Sequence, residues 1–367
     1  MKGYEKQELC LIWLDSFEGL EYKHKQTLIT LAEGKLDAKL IVEKGKDYIL
    51  TSLNPNVYST LKNSLTVEYI EYVLAELERR GIKAITINSK DYPSALKETP
   101  IPPLVLYAKG NIDLLKEQNL FAIVGSRKSL PLSINIAKDY VKTLAQNGIT
   151  LVTGIAQGID QTVIEETLIQ NGKVISVVTG GLDNVYPKTN QKLVDKMVQN
   201  GCLVISEHPP QTKSLPYMFP IRNRILAGLS KGVLVVSASK KSGTLWTADY
   251  ANEYGKEVFA IPYSIGISSG EGCNNLIKQG ATLTDSPKDI LDCFNIEQRK
   301  EQEIQLSEEE RQIITLLSQG EKHIEQIGAS LNKRAFQISP TLSILEIKGL
   351  IIKSGNLYQL TRNYSED

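Results

Sequence analysis

Between Leu120 and Ile261 six short β-branched runs recur: Phe121 to Val124, Ile149 to Val152, Val174 to Val178, Leu203 to Ile205, Val233 to Val236 and Val258 to Ile261. Most are separated by about ten to twenty residues of helical pattern. Near-continuous apolar strands alternating with amphipathic helices predict a parallel sheet covered on both faces, a doubly wound α/β domain over 119–295. Before it, residues 1–82 repeat apolar positions at helical spacing, as in Ile70, Val73, Leu74 and Leu77, with Gly81 as a stop, and predict a small helical domain. The proline-rich passage through Tyr92-Pro93 and Pro102-Pro103 reads as an extended connector over 83–118. A polar linker is expected over 296–306. The remaining segment, 307–367, predicts three helices and a hairpin, a winged helix: Ser307 with Glu310 opens the first helix as a capping box, and Ser339 with Pro340 starts the third.

Composition narrows the function classes. Forty-two Lys and Arg balance 42 Asp and Glu, so nothing in the whole-chain charge points to nucleic acid or membrane, and any such role needs charge sorted locally. The four cysteines, Cys10, Cys202, Cys273 and Cys293, form no CxxC pair and no metal-ligand spacing, which implies free thiols, a reducing cytoplasm and no metal. The apolar run Leu9 to Leu14 is too short for a signal segment, and no 18-residue apolar stretch exists to span a membrane.

Chemistry-bearing residues gather where the strands end, the edge at which open parallel sheets bind ligands. The first strand runs into Gly125, Ser126 and Arg127, the second into a turn holding Gly154 and Gly158, and the third into Thr179 to Lys188. Small residues let backbone N–H groups approach an anion, and Arg127 can hold it bidentately. From His208 to Ala248 no acid occurs, while Lys213, Arg222, Arg224, Lys231, Lys240 and Lys241 supply six cations. Phe219 beside Arg222, Asn223 and Arg224 is the combination that stacks bases and tracks phosphates. Gly266 to Gly270 matches GxSxG formally but lies in a Ser/Gly-rich loop, and only His24, His208 and His323 could act as imidazole bases. The sequence thus predicts a binding protein rather than an enzyme, with no cofactor.

Taken together these motifs resemble the DNA-processing protein A family (DprA or Smf). The matching segments are Ala122 to Arg127, Gly154 to Asp160, Gly180 to Asn190, Ser206 to Pro210, Phe219 to Ser230, Ser242 to Ala248 and Gly272 to Ala281. The resemblance implies an extended Rossmann-like domain and a homodimer that binds single-stranded DNA and helps load RecA in natural transformation. It assigns phosphate contacts to Arg127 and Lys188, carries Phe219, Arg222, Asn223, Arg224, Lys241, Ser242 and Gly243 onto its DNA-binding segments, and places self-association at Asn274, Ile277 and Leu283. Departures from the family pattern are Gln157 where many members carry a basic residue, Ser237 where an acid is common, and Tyr263 where glycine is usual. The alternative is a nucleotide-binding or nucleotide-cleaving enzyme of the lysine-decarboxylase-like group, whose PGGxGT motif is replaced here by Lys241-Ser242-Gly243-Thr244. For 307–367, seven basic against eight acidic residues favour a protein contact over a duplex-binding face.

Overall fold

The computed structural model describes residues 3–17, 20–297 and 306–361, and the chain divides into two units, 1–298 and 299–367. Most of the expected linker lies outside the described residues.

Unit one opens with five helices, α1 (Lys6–Asp15), α2 (Tyr22–Leu31), α3 (Ala38–Ser52), α4 (Pro55–Asn63) and α5 (Val67–Arg79). Strands β1 (Lys83–Thr86) and β2 (Val105–Gly110) flank a single helical turn, α6 (Ser94–Lys97). The alternating part follows as β3 (Leu120–Gly125), α7 (Pro131–Gln146), β4 (Thr150–Thr153), α8 (Ile159–Ile169), β5 (Val174–Val177), α9 (Gln191–Gln199), β6 (Leu203–Ser206), α10 (Met218–Leu229), β7 (Gly232–Ser237), α11 (Leu245–Glu253), β8 (Glu257–Ala260), α12 (Glu271–Lys278), β9 (Thr282–Leu283) and α13 (Pro287–Cys293). All six strands expected from the apolar runs are present.

The nine strands form one sheet in the order β1-β2-β6-β5-β4-β3-β7-β8-β9. The seven from β6 to β9 in that order are parallel, while β2 runs antiparallel to both β1 and β6. Because side chains alternate across a strand, Phe121 and Ile123 join one apolar cluster and Ala122 and Val124 the other. Helices α10, α11 and α12 cover the second face, with Ile225, Ala248 and Cys273. The first face takes α7, α8 and α9, and also the N-terminal helices, since Leu11, Ile12, Leu28 and Ile41 share its core with Tyr107 and Phe121.

Two expectations change here. The helices of 1–82 do not form a unit with a core of their own, because their apolar stripes are completed by the sheet. The passage over 83–118 is extended but is no mere connector. It supplies two strands, and Val105, Leu106, Tyr107 and Ala108 are all buried, as a strand covered on both faces requires.

Unit two contains α14 (Glu308–Ser318), β10 (Lys322–His323), α15 (Ile324–Ser330), α16 (Ala335–Ile347), β11 (Ile351–Ser354) and β12 (Leu357–Leu360), its strands ordered β10-β12-β11 in an antiparallel sheet. The Ser307 and Glu310 capping box is present, with Glu310 Oε2 accepting from Ser307 N–H at 2.7 Å. The third helix starts five residues earlier than Pro340 predicts. Gln337 accepts the Arg334 N–H at 2.8 Å and closes the true first turn, leaving Pro340 inside the helix.

Candidate nucleic-acid site

The β3, β4 and β5 sequence winds the sheet one way and β7 returns to the other side of β3, so the topological switch lies between β3 and β7. There the two strand ends part, and a crevice of about 900 Å³ opens between their loops. Gly125, Ser126, Arg127 and Lys128 form one wall, Ser239, Ser242, Gly243 and Thr244 another, and Phe219, Arg222, Asn223 and Tyr186 line the remainder.

The loop after β3 is fixed by hydroxyls. Ser237 Oγ accepts the Ser126 N–H at 3.2 Å and lies 3.0 Å from Ser129 Oγ, which itself donates to the Ser126 carbonyl at 2.8 Å. A neutral serine at 237, where the family often has an acid, therefore holds the arginine loop without adding negative charge. Helix α7 begins only at Pro131, so the Arg127 side chain rather than that helix terminus faces the crevice. Arg127 is exposed, its guanidinium 4.7 Å from the centre of the Phe219 ring. Tyr186 meets the same ring edge-on at 6.1 Å. Neither Arg127 nor Lys128 forms a close ion pair among the described residues, and the Arg127 charge acts on the Asp160 carboxyl of the same crevice, pulling it down.

The crevice lining also holds two buried opposite charges, Asp160 and Arg222. Arg222 on α10 is 7 % exposed and donates to the Val177 carbonyl and to Asn223 Oδ1. Asp160, in the first turn of α8, accepts the Ala156 N–H at 3.2 Å. Burial raises the Asp160 carboxyl against the pull of Arg222, and the same burial lowers Arg222. Gly154 makes room for both: a β-carbon there would stand 2.2 Å from Asp160 Oδ2 and 2.8 Å from an Arg222 nitrogen. Gly158 has φ +84°, and a β-carbon would press on the Ser126 carbonyl at 2.4 Å. These two glycines, expected as phosphate contacts, shape the pair and the loop; neither lines the crevice.

The six-cation strip is also corrected. Arg224 does not line the crevice. It is 3 % exposed and ion-paired to Glu207, the last acid before the strip, so the alternation of α10 turns it inward. Lys231 bonds Asn119 Oδ1 and Lys240 lies 3.8 Å from Glu271. Lys213 and Lys241 are exposed, without an acidic partner among the described residues, but stand outside the crevice lining. Lys188 is likewise exposed, two residues beyond Tyr186. Asn223 braces the opposite wall, donating to the Gly243 carbonyl at 3.1 Å. Asp183, in the loop after β5, holds Arg80 at 2.6 Å.

Sequence reasoning missed Tyr186 and Lys128, whose neighbours in the YPK and GSR segments were the available signal. It also missed Ser214, Thr247 and Ser269, crevice-lining residues whose buried hydroxyls have no partner among the described residues. Of the residues expected in self-association, Asn274 is engaged within the chain through both backbone groups of Tyr263, at 3.0 and 2.8 Å. Ile277 is half-buried, and Leu283 on edge strand β9 is 48 % exposed. Tyr263 itself donates to the Val236 carbonyl at 2.7 Å and contacts Ser133 Oγ, a buttress behind β7.

Comparison with known proteins agrees with this architecture. DNA processing protein DprA of Bacillus subtilis is 40 % identical over 236 residues, 64 % of this chain and 79 % of that protein. DprA of Streptococcus pneumoniae is 42 % identical over 214 residues, 58 % of this chain and 75 % of that protein. The solved structure of the Streptococcus pneumoniae protein superposes with a TM-score of 0.65 at 33 % identity, over 79 % of this chain and 98 % of its own. A Helicobacter pylori structure described as showing the single-stranded DNA binding mode of DNA processing protein A gives 0.53 at 28 % identity, over 59 % and 97 %. The profile of the family described as DNA recombination-mediator protein A matches residues 83–295, β1 through α13, and the chain belongs to that family.

Proposed function

We propose that the crevice binds single-stranded DNA without regard to sequence and that the protein protects the strand and passes it to RecA in transformation and recombination. The observation that carries this reading is Arg127, an exposed cation poised over Phe219, whose ring Tyr186 meets edge-on, at the switch point of the sheet. Aromatic faces accept any base, and an arginine beside them tracks the backbone. The relatives' names and the Helicobacter pylori structure support it. A binding rather than catalytic role is supported by the lining: among the described residues its acid is Asp160, which accepts the Ala156 N–H and lies in the field of Arg222, and no histidine joins it.

The reading includes a homodimer joined near Ile277 and Leu283, where apolar side chains remain partly exposed. It also treats unit two as a winged helix that contacts protein. Phe336 and Ile347 on α16 are 69 % and 85 % exposed, which suits a partner protein better than a duplex.

Binding of labelled oligo(dT) and of mononucleotides over a salt series tests the central claim. The oligonucleotide is expected to bind with a steep salt dependence, and Arg127→Ala to flatten the log K against log salt slope by about 0.7. Tight mononucleotide binding with turnover, alongside a salt slope near zero for the oligonucleotide, would overturn it.

A further inference from the structure

Helix α9 starts at the strand-end edge, just beyond Tyr186 and Lys188, and runs down the flank of the sheet. Val194 and Met197 face the core. At helical spacing this turns Lys192 and Lys196 outward, and both are exposed. Lys188, Lys192 and Lys196 thus stand four residues apart along one surface line, about 6 Å per step in the helical part. None has an acidic partner among the described residues. By contrast Lys173, at the far end of the helix, is engaged with the Asn200 carbonyl at 3.1 Å. The one acid of α9, Asp195, lies on the flank of the line.

We propose that this line is a second phosphate track, along which a single strand leaving the crevice past Tyr186 is held at Lys192 and Lys196. The proposal rests on the single-strand reading of the crevice and extends its footprint by two phosphates. Ammonium groups repeating once per helical turn match the regular repeat of phosphates on an extended strand, and they can follow a backbone of any sequence. Site size should then exceed what the crevice alone can fill.

The test compares oligo(dT) of about 6 and about 20 nucleotides, a range spanning short and extended single-strand footprints, in fluorescence anisotropy across a salt series. Lys192→Gln with Lys196→Gln is expected to reduce the salt slope for the long oligonucleotide by about 1.4, two lost single-strand contacts, and to leave the short one unchanged. Asp195→Asn should tighten the long one only, a gain that loss of folding cannot produce. An unchanged long-oligonucleotide slope, or an equal loss for both lengths, overturns the track while leaving the crevice standing. If neither oligonucleotide binds wild type, the crevice reading fails and the track with it.

Discussion

Arg222 and Arg224 sit two residues apart, and the structure separates their roles completely. An acid-free strip of sequence reads as a basic surface, yet α10 turns Arg224 into the protein to meet Glu207. Removing one member of a buried pair leaves the other charge desolvated and unpaired, at a cost of about 3 kcal/mol. Arg224→Ala is therefore expected to lower the midpoint of urea unfolding markedly, whereas Lys213→Ala, at an exposed site, should leave it in place. Equal midpoints for the two variants would remove Arg224 from the structural role. Arg127 and Phe219 were legible as site candidates because each lies in a distinctive motif, but their 4.7 Å contact comes from the fold. The Asp160 and Arg222 pairing was not legible, since they are 62 positions apart and only the fold shows that Gly154 opens a space for them.

Elements were read more reliably than contacts. The six central strands followed from β-branched runs, and α14 followed from its capping box, because both signals are local. Ser307→Ala should cost about 1 kcal/mol, seen as a lowered melting transition of unit two with the unit one transition unmoved. A shift of the unit one transition instead would contradict the division. Strands β1 and β2 escaped notice because the four prolines between them, Pro93, Pro100, Pro102 and Pro103, masked a four-residue and a six-residue strand. Pairing makes them strands, β2 with β6, 99 residues further on at Tyr107 and Ser206, and β1 with β2, and no local pattern encodes it. The start of α16 was misplaced because proline is favoured at a first helical position, while the Gln337 contact that sets the boundary is a weaker signal.

Across the whole molecule, the zero net charge includes ion pairs that join distant segments, while exposed cations such as Arg127 and Lys128 stand at the strand-end edge. Asp91 illustrates the pairs, bridging Lys83 on β1 at 2.9 Å and Lys116 ahead of β3 at 3.0 Å. Hydrogen bonds from Lys83 and Lys116 bring its carboxyl down to about 2. Its stabilisation is thus complete above the ordinary carboxylate range and disappears as pH falls toward 2. Both lysines are about half exposed, so screening limits the effect to about 1 kcal/mol. Asp91→Asn should be less stable than wild type by that amount at pH 7, the gap closing between about pH 4 and pH 2. A gap independent of pH would exclude the ion pairs as its cause. A similar long link, Arg80 at the end of α5 to Asp183, ties the N-terminal helices to the loop that carries Tyr186 and Lys188. A strand arriving at that loop meets side chains whose backbone is already anchored from behind. On the proposed reading, the ordering entropy of binding, about 0.5 to 1.5 kcal/mol for each side chain immobilised, has in that measure been settled when the protein folds.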